Sequence, residues 1–324
     1  MKAIRLHEFG PAENLRYEEA PDPTPDPGMV LIQAEAAGVH LVDTMIRSGS
    51  TGGSRIPVPE LPTIPGREVS GRVTAVGPGV DPSWMGKRVV VHLGMDPGGY
   101  AELAVAKVES LYELPDHVDA AQAVAAIGTG RTTAGVLNQA KLSADDVVLV
   151  TAAAGGIGSY LVQAARNVGA TVIGLAGGAA KVELVRSLGA QYAIDYTDPE
   201  WALALKDELG DRDVTVLLDG VGGASGQRAF ELLGVGGRVL MFGWSGGGPI
   251  EFTQEELMAR SLTAGWALGA KMTSQLRALE AAALEETFSG RWQALTTTFP
   301  LSEAAAAHRA LETRATTGKV VLIP

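Results

Sequence analysis

The chain has no cysteine among its 324 residues. That excludes disulfides, a thiolate nucleophile and any zinc site built on sulfur. Positive charge is also scarce. Lys and Arg number 26 against 37 Asp and Glu, the formal net charge is -11 and the pI is near 5.0. Nucleic acid and anionic membrane surfaces are therefore disfavoured as partners. The opening MKAIRLHEFG lacks the apolar stretch of a secretory signal, so a cytoplasmic location is expected. Only one uncharged run, residues 147–165, is long enough to suggest a membrane span. It fails as one, because Gly155-Gly156 lies at its centre and Thr151, Ser159 and Gln163 interrupt it. Its flanks differ: VVLV is β-branched like a buried strand, whereas Leu161, Val162 and Ala165 recur at helical spacing. Strand, glycine turn and helix is the better parse.

Hydrophobic residues make up 46% and charged residues 19%, as in globular proteins, and the length suggests two domains. Residues 1–120 read as β-rich, with strands in MKAIRLHEF, MVLIQAEAAGV, EVSGRVTAVG, KRVVVHL and AELAVAKVES. The clusters PDPTPDPG and IPVPELPTIPG read as connections, because proline fits neither helices nor central strands. From about residue 121 the texture changes. AAQAVAAIGTGRTTAGVLNQA is helical in composition. Strand candidates 147–152, 171–176, 191–196, 214–219 and 238–242 then alternate with helices at 159–168, 180–188, 201–209 and 227–233. Near-continuously apolar strands alternating with helices imply a parallel sheet covered on both faces, with ligands at the carboxyl ends of its strands. The terminal GKVVLIP reads as one more strand, returning to the first unit.

The turn AAAGGIGS is a variant dinucleotide fingerprint in which alanine replaces the first glycine. The backbone of Ala154, Gly155, Gly156, Ile157 and Gly158 is the expected pyrophosphate contact. Gly155 permits close approach, and Gly158 lets the helix pack on its strand. A packing role alone is the alternative for such a turn. The next strand, TVIGLA, ends at Ala176-Gly177-Gly178, where an NAD site would place Asp or Glu on the ribose 2′-hydroxyl. None is present. Gly177 and Gly178 leave a small neutral opening, and Lys181 and Tyr196 stand nearby to receive a 2′-phosphate.

Blocks spread over nearly the whole chain resemble one family. GVHLVDTMIRSG, PTIPGREVSGRVTAVGPGV, GGYAE, GRTT, VLVTAAAGGIGS, DGVGG and GKVVLIP occur in the order found in the zinc-free quinone oxidoreductases, a branch of the medium-chain dehydrogenase/reductases. The resemblance implies a GroES-like domain formed by residues 1–121 and 263–324. A Rossmann domain over 122–262, NADPH as cofactor and a homodimer are also implied. It further implies cofactor contacts by Asp43, Thr132, Gly243 and Lys319. Gly243 could instead simply end its strand.

Zinc-dependent relatives offer a check by subtraction. In them a cysteine stands where His40 is here, and a histidine where Arg67 is. His40 and Glu68 could ligate a metal, but a catalytic zinc needs three protein ligands and Arg67 would oppose it, so no metal is expected. His40 itself replaces the asparagine usual in the zinc-free branch. It is either a proton donor to reduced substrate or a residue that orients its surroundings by hydrogen bonds. His7, His92, His117 and His308 are expected to be structural or exposed. Met45 replaces a common tyrosine, removing a hydroxyl and leaving a more adaptable wall. The resulting expectation is hydride transfer from NADPH to quinones or related conjugated carbonyls. Enoyl or alkenal reduction is the alternative within the class, and an NADPH-binding partner protein with little turnover the alternative outside it.

Overall fold

The computed structural model describes residues 1–50 and 58–324, so the first two residues of the IPVPELPTIPG connection lie outside it. The chain forms two compact units, Met1–Thr129 with Ala294–Pro324, and Gly130–Gln293.

Unit 1 begins with an antiparallel pair, β1 (Lys2–Leu6) and β2 (Leu15–Glu19). The strands β3 (Met29–Val39), β4 (Glu68–Val76), β5 (Arg88–His92), β6 (Leu103–Lys107) and β7 (Tyr112–Glu113) follow. An early α-helix, α1 (Leu41–Arg47), follows the end of β3. A helical run then opens with α2 (Ala120–Val124), whose N-terminal amides are capped by the Asp119 carboxylate, and continues into a π-helical turn, Ala125–Gly130.

Unit 2 starts with α3 (Arg131–Ala140) and then alternates. The order is β8 (Val147–Val150), α4 (Gly156–Asn167), β9 (Thr171–Ala176), α5 (Ala179–Ser187), β10 (Tyr192–Asp195), α6 (Trp201–Leu209) and β11 (Val214–Asp219). It continues with α7 (Gly223–Glu231), β12 (Leu233–Met241), α8 (Gln254–Ala259), β13 (Thr263–Trp266), α9 (Ala270–Thr273) and α10 (Leu276–Phe288). The strands form one parallel sheet, ordered β10-β9-β8-β11-β12-β13. Counted within the unit this is 3-2-1-4-5-6, the doubly wound dinucleotide-binding order, with its switch point between β8 and β11. Every residue of VVLV in β8 is buried, as a central strand covered on both faces requires. Trp201, Phe230, Leu149, Ile173 and Leu217 anchor the core of this unit.

The chain returns to unit 1 through β14 (Thr296–Pro300), α11 (Ala304–Glu312) and β15 (Lys319–Ile323). The larger sheet of unit 1 runs β14-β15-β3-β4-β5-β7, with β6 also paired to β3. GKVVLIP thus lies beside β3, with Val320 opposite Val39.

Two boundaries differ from expectation. Unit 2 begins at 130 instead of 122 and ends at 293 instead of 262. The later end has a clear cause: residues 263–266 add the sixth parallel strand, and α10 packs on α3. That strand is short and half-exposed, so it lacks the apolar run that marked the others. Among the described residues no helix is long and apolar enough to cross a membrane, and the run 147–165 is divided between β8 and α4.

Candidate active site

Each unit carries its own constellation. In unit 2 it lies at the carboxyl ends of the strands. After β8 the chain turns through Ala152, which takes φ +48°, and α4 begins at Gly156 with Gly155 as N-cap. The amides of Gly156, Ile157 and Gly158 belong to the first helical turn and have no carbonyl partner four residues back, which makes this an anion site. A Cβ on Gly158 would lie 2.2 Å from the Ala152 carbonyl oxygen, so glycine is what lets α4 sit this close to its strand. Beside it, at the switch point, Thr151 donates its hydroxyl to Asp219 at 2.8 Å. Asp219 also accepts from the amides of Val221 and Gly222, which folds the DGVGG turn around it. Burial pushes the Asp219 carboxyl up against the opposing effect of those three donors.

The structure gathers the residues expected at the adenosine end. The Tyr196 phenol lies over Gly177, where an added Cβ would approach its oxygen to 2.9 Å. Gly178 takes φ +84° as N-cap of α5, and Lys181 sits in the first turn of that helix. One feature was not anticipated. Asp195, at the end of β10, accepts at Oδ1 from the Gly178 amide at 3.0 Å and from the Thr197 hydroxyl at 2.7 Å. The Gly178 amide first, and then Thr197, holds this carboxyl below its usual range. Thr132 lies at the start of α3, and Gly243 follows the end of β12, its Cα hydrogen facing the Gly220 carbonyl.

Unit 1 centres on Glu68, the first residue of β4 and fully buried. Two glycines make its seat. A Cβ on Gly38 of β3 would come within 2.1 Å of Glu68 Oε2, and one on Gly128 of the π-helical turn within 1.5 Å of Oε1. His40 Nε2 lies 2.6 Å from Oε1, and Lys319 Nζ lies 2.7 Å from Oε2. Burial by itself pushes the Glu68 carboxyl up, but His40 and Lys319 outweigh it and hold the group well below the usual carboxylate range. Burial pulls Lys319 down, and Glu68 opposes that.

Asp43 closes the first turn of α1 onto its N-cap by accepting from the His40 amide at 2.8 Å. The same oxygen takes the Tyr100 hydroxyl at 3.1 Å, while Arg67 stands 3.5 Å from the other. Burial first, and then Asp43, raises the Tyr100 phenol well above its ordinary value. The Tyr100 oxygen in turn lies 3.3 Å from His308 Nε2. Asp43 and Lys319, expected to touch the cofactor, are thus both buried and committed to His40 and Glu68.

Two premises of the metal argument change here. His92 joins His40 and Glu68, with ligand atoms of all three within 4.8 Å of one another. The candidate metal ligands therefore number three, and the argument from two ligands falls. The opposing cation is also a different one, since Lys319, not Arg67, meets Glu68. The chemistry still does not suit a divalent ion. Two ligands of one tetrahedral zinc stand about 3.3 Å apart, whereas His40 Nε2 and Glu68 Oε1 are 2.6 Å apart. Lys319 already neutralises the carboxylate. His92 Nδ1 accepts the Gly94 amide at 3.0 Å, which leaves the proton of a neutral ring on Nε2, whereas metal-bound histidines donate from their second nitrogen. His92 and His308 carry no local sequence signature, and Tyr100 lies in the GGYAE block without a role assigned to it, so only their convergence reveals what they do.

Residues 26–116 match the alcohol dehydrogenase GroES-like domain family, and residues 156–285 the zinc-binding dehydrogenase family. The chain is 34% identical to the quinone oxidoreductase of Sus scrofa, over 100% of this chain and 98% of that protein. It belongs to the quinone oxidoreductase branch of the medium-chain dehydrogenase/reductases. Another relative, a 2-haloacrylate reductase of Burkholderia sp., is 32% identical over 99% of this chain and 98% of its own length. The structure of the Escherichia coli quinone oxidoreductase complexed with NADPH superposes with a TM-score of 0.86 at 29% identity, covering all of both chains. The GroES-like and Rossmann readings of the two units agree with these family matches.

Proposed function

We propose that this quinone oxidoreductase family member is an NADPH-dependent, zinc-independent reductase that passes hydride to quinones. The setting of His40 carries the choice of acceptor. Reduction of a conjugated alkene places a proton on carbon, for which a positioned acid supplies about 10²–10⁴-fold. The only imidazole expected in that role has its Nε2 buried and turned toward Glu68. A reduced quinone carries its charge on oxygen and takes its protons from solvent, so it needs no such acid. His40 is then an orienting residue, held by Glu68 through its ring and by Asp43 through its backbone.

NADPH, when bound, supplies the hydride. The residues of unit 2 fit it. The amides at Ala154–Gly158 would receive the pyrophosphate, and Gly177, Gly178, Lys181 and Tyr196 the 2′-phosphate. Thr132 and Gly243 would lie toward the nicotinamide end. Asp43 and Lys319, the other two expected cofactor contacts, hold the start of α1 and the Glu68 carboxylate within unit 1. The pig relative's name and the NADPH in the Escherichia coli structure support this reading. A cytoplasmic homodimer is part of the same proposal. The Burkholderia relative supports a second reading, reduction of a conjugated alkene.

The test is a steady-state panel of 1,4-benzoquinone, 1,4-naphthoquinone and methyl vinyl ketone, with NADPH or NADH, before and after exhaustive chelation confirmed by elemental analysis. Quinone reduction with NADPH should exceed enone reduction by about a hundredfold in kcat/KM and survive metal removal. A faster enone would establish the second reading. Activity restored only by zinc would defeat zinc independence, and tight NADPH binding without turnover would mark a binding protein.

A further inference from the structure

The two proline clusters that read as connections in the sequence meet in space. In unit 1, Pro21 and Pro23 from the first cluster and Pro62 from the second join Pro97 in walling a cavity of about 390 Å³. Ile64, Leu103 and Val105 add apolar surface to it. The walls are tied down. Thr63 exchanges two backbone hydrogen bonds with Leu6 of β1, at 2.8 and 3.0 Å, and the Gly99 amide donates to the Gly66 carbonyl at 3.0 Å. Proline side chains lose no rotamer freedom on ordering, so the walls are preformed and a ligand need not organise them. The volume falls in the range of small-molecule cavities. No residue assigned above to NADPH or to the cluster around Glu68 lines it.

Among the described lining residues one side chain is charged, that of Arg5. Its side-chain partner among the described residues is Glu18, reached by Nη1 at 3.2 Å. Glu18 is shared, because His7 Nε2 lies 2.8 Å from the same carboxylate oxygen. Arg16 stands directly opposite Arg5 in the register of β1 and β2, and among the described residues it has no ion-pair partner. Like charges in that arrangement repel. One carboxylate thus stands among two arginines and a histidine, and Nε and Nη2 of Arg5 are left without a hydrogen-bond partner among the described residues. A guanidinium edge of this kind takes a planar carboxylate through two parallel N–H groups. One available cation matches a monoanion better than a phosphate dianion. Proline rings, for their part, pack on flat aromatic faces, as they do where proline-rich segments dock. We infer that this cavity is a binding site for a flat aromatic monocarboxylate, held by Arg5 at one end and by the proline walls along its ring. The site shares no residue with the proposed NADPH contacts, so the two ligands bind independently.

Calorimetric titration with 1-naphthoate, in the absence and presence of saturating NADPH, tests the site, with 1-naphthamide as the neutral counterpart. The carboxylate should bind to saturation with the same affinity in both conditions. Arg5→Gln should weaken it about tenfold, because a hydrogen bond to a charged group is lost at a partly exposed side chain. Arg5→Lys keeps the charge without the fork and should weaken it about threefold. Glu18→Gln removes the competing carboxylate and should tighten binding by about the same threefold. 1-Naphthamide should bind about tenfold more weakly than 1-naphthoate and respond to none of these substitutions. Each variant should keep the circular dichroism spectrum of the unaltered protein, so that a lost site is distinct from a lost fold. Heat that does not saturate, or binding that Arg5→Gln leaves intact, would overturn the inference. So would equal affinity for the amide, which would mark an apolar cleft with no preference for a carboxylate. Displacement of 1-naphthoate by NADPH would overturn it too, by placing the carboxylate in the cofactor site.

Discussion

On the proposed reading, Lys181 carries the cofactor choice at the scale of single residues. The pyrophosphate is common to NADPH and NADH, so the turn at Gly155–Gly158 cannot tell them apart. The ribose 2′ position can. No carboxylate ends β9, but Asp195 ends β10 one strand away and binds the Gly178 amide. This leaves a carboxylate near the opening, so preference for a phosphate there falls to Lys181 and the Tyr196 phenol. A hydrogen bond to a charged group contributes about 1.5–3 kcal/mol. Lys181→Ala should therefore raise KM for NADPH about tenfold to a hundredfold and leave KM for NADH nearly unchanged. Steady-state kinetics with both cofactors read this directly, and equal weakening would make Lys181 a packing residue.

At the scale of elements, the helical run from α2 to α3 offers a contrast between two glycines. Gly128 lies in its π-helical turn, where an added Cβ would meet Glu68 Oε1 at 1.5 Å. The carboxylate is fully buried between its partners and has no room to retreat. Gly128→Ala must separate it from His40 or Lys319, and an uncompensated buried charge costs about 3–5 kcal/mol. Gly135, one turn into α3, would place its Cβ 2.9 Å from the Met272 Cγ and Sδ. A methionine side chain yields cheaply, and alanine gains helix propensity over glycine by roughly 1 kcal/mol. Gly135→Ala should thus change stability by less than about 1 kcal/mol, and denaturant titration of both variants checks the pair.

The glycines also explain where element boundaries went astray. β9, β11, β3 and α6 start within a residue of expectation and end as expected, because each is bounded by a clear change of composition. By contrast, α4 begins at Gly156 instead of Ser159, α7 at Gly223 instead of Gln227, and β12 at Leu233 instead of Arg238. Glycine-rich stretches read as turns in sequence. Here they are helix starts and a strand carried through positive φ at Gly236, because close packing or a capping carboxylate stabilises them.

For the whole molecule, stability toward acid should depend on His308. This side chain is fully buried, and burial pushes its pKa from 6.5 down to about 4. Asp43 and Glu312 oppose that shift, and Arg47 adds to it. Nε2 lies against the Tyr100 hydroxyl, and Nδ1 is buried without a hydrogen-bond partner, so a second proton would enter a dry site. Between those two pKa values the unfolded chain binds more protons than the folded one. The contribution is therefore intact above pH 6.5 and is lost as pH falls toward 4. The drop from 6.5 to about 4 corresponds to at most about 3–4 kcal/mol. His308→Gln should lose less stability than the unaltered protein between pH 6.5 and 4.5, by about 2 kcal/mol in parallel denaturant titrations. Identical slopes would show that His308 does not titrate this way.

Much of this was already present in the order of residues. The alternation of apolar strands and helices, the phosphate turn, and the missing carboxylate after TVIGLA are local features. Hydrophobic period and turn chemistry act over a few residues and survive in one dimension. The family blocks extended that reading to both units. The cluster around Glu68 showed only as its pairing with His40; His92 and Lys319 did not show, because the members come from the ends of β3, β4, β5 and β15 and meet only through sheet order. The same holds for the line from His308 through Tyr100 to Asp43, and for the proline-walled cavity beside Arg5. Sequence settles what each segment prefers to be. Which side chains face one another is settled by strand pairing across long separations, where no local preference reaches.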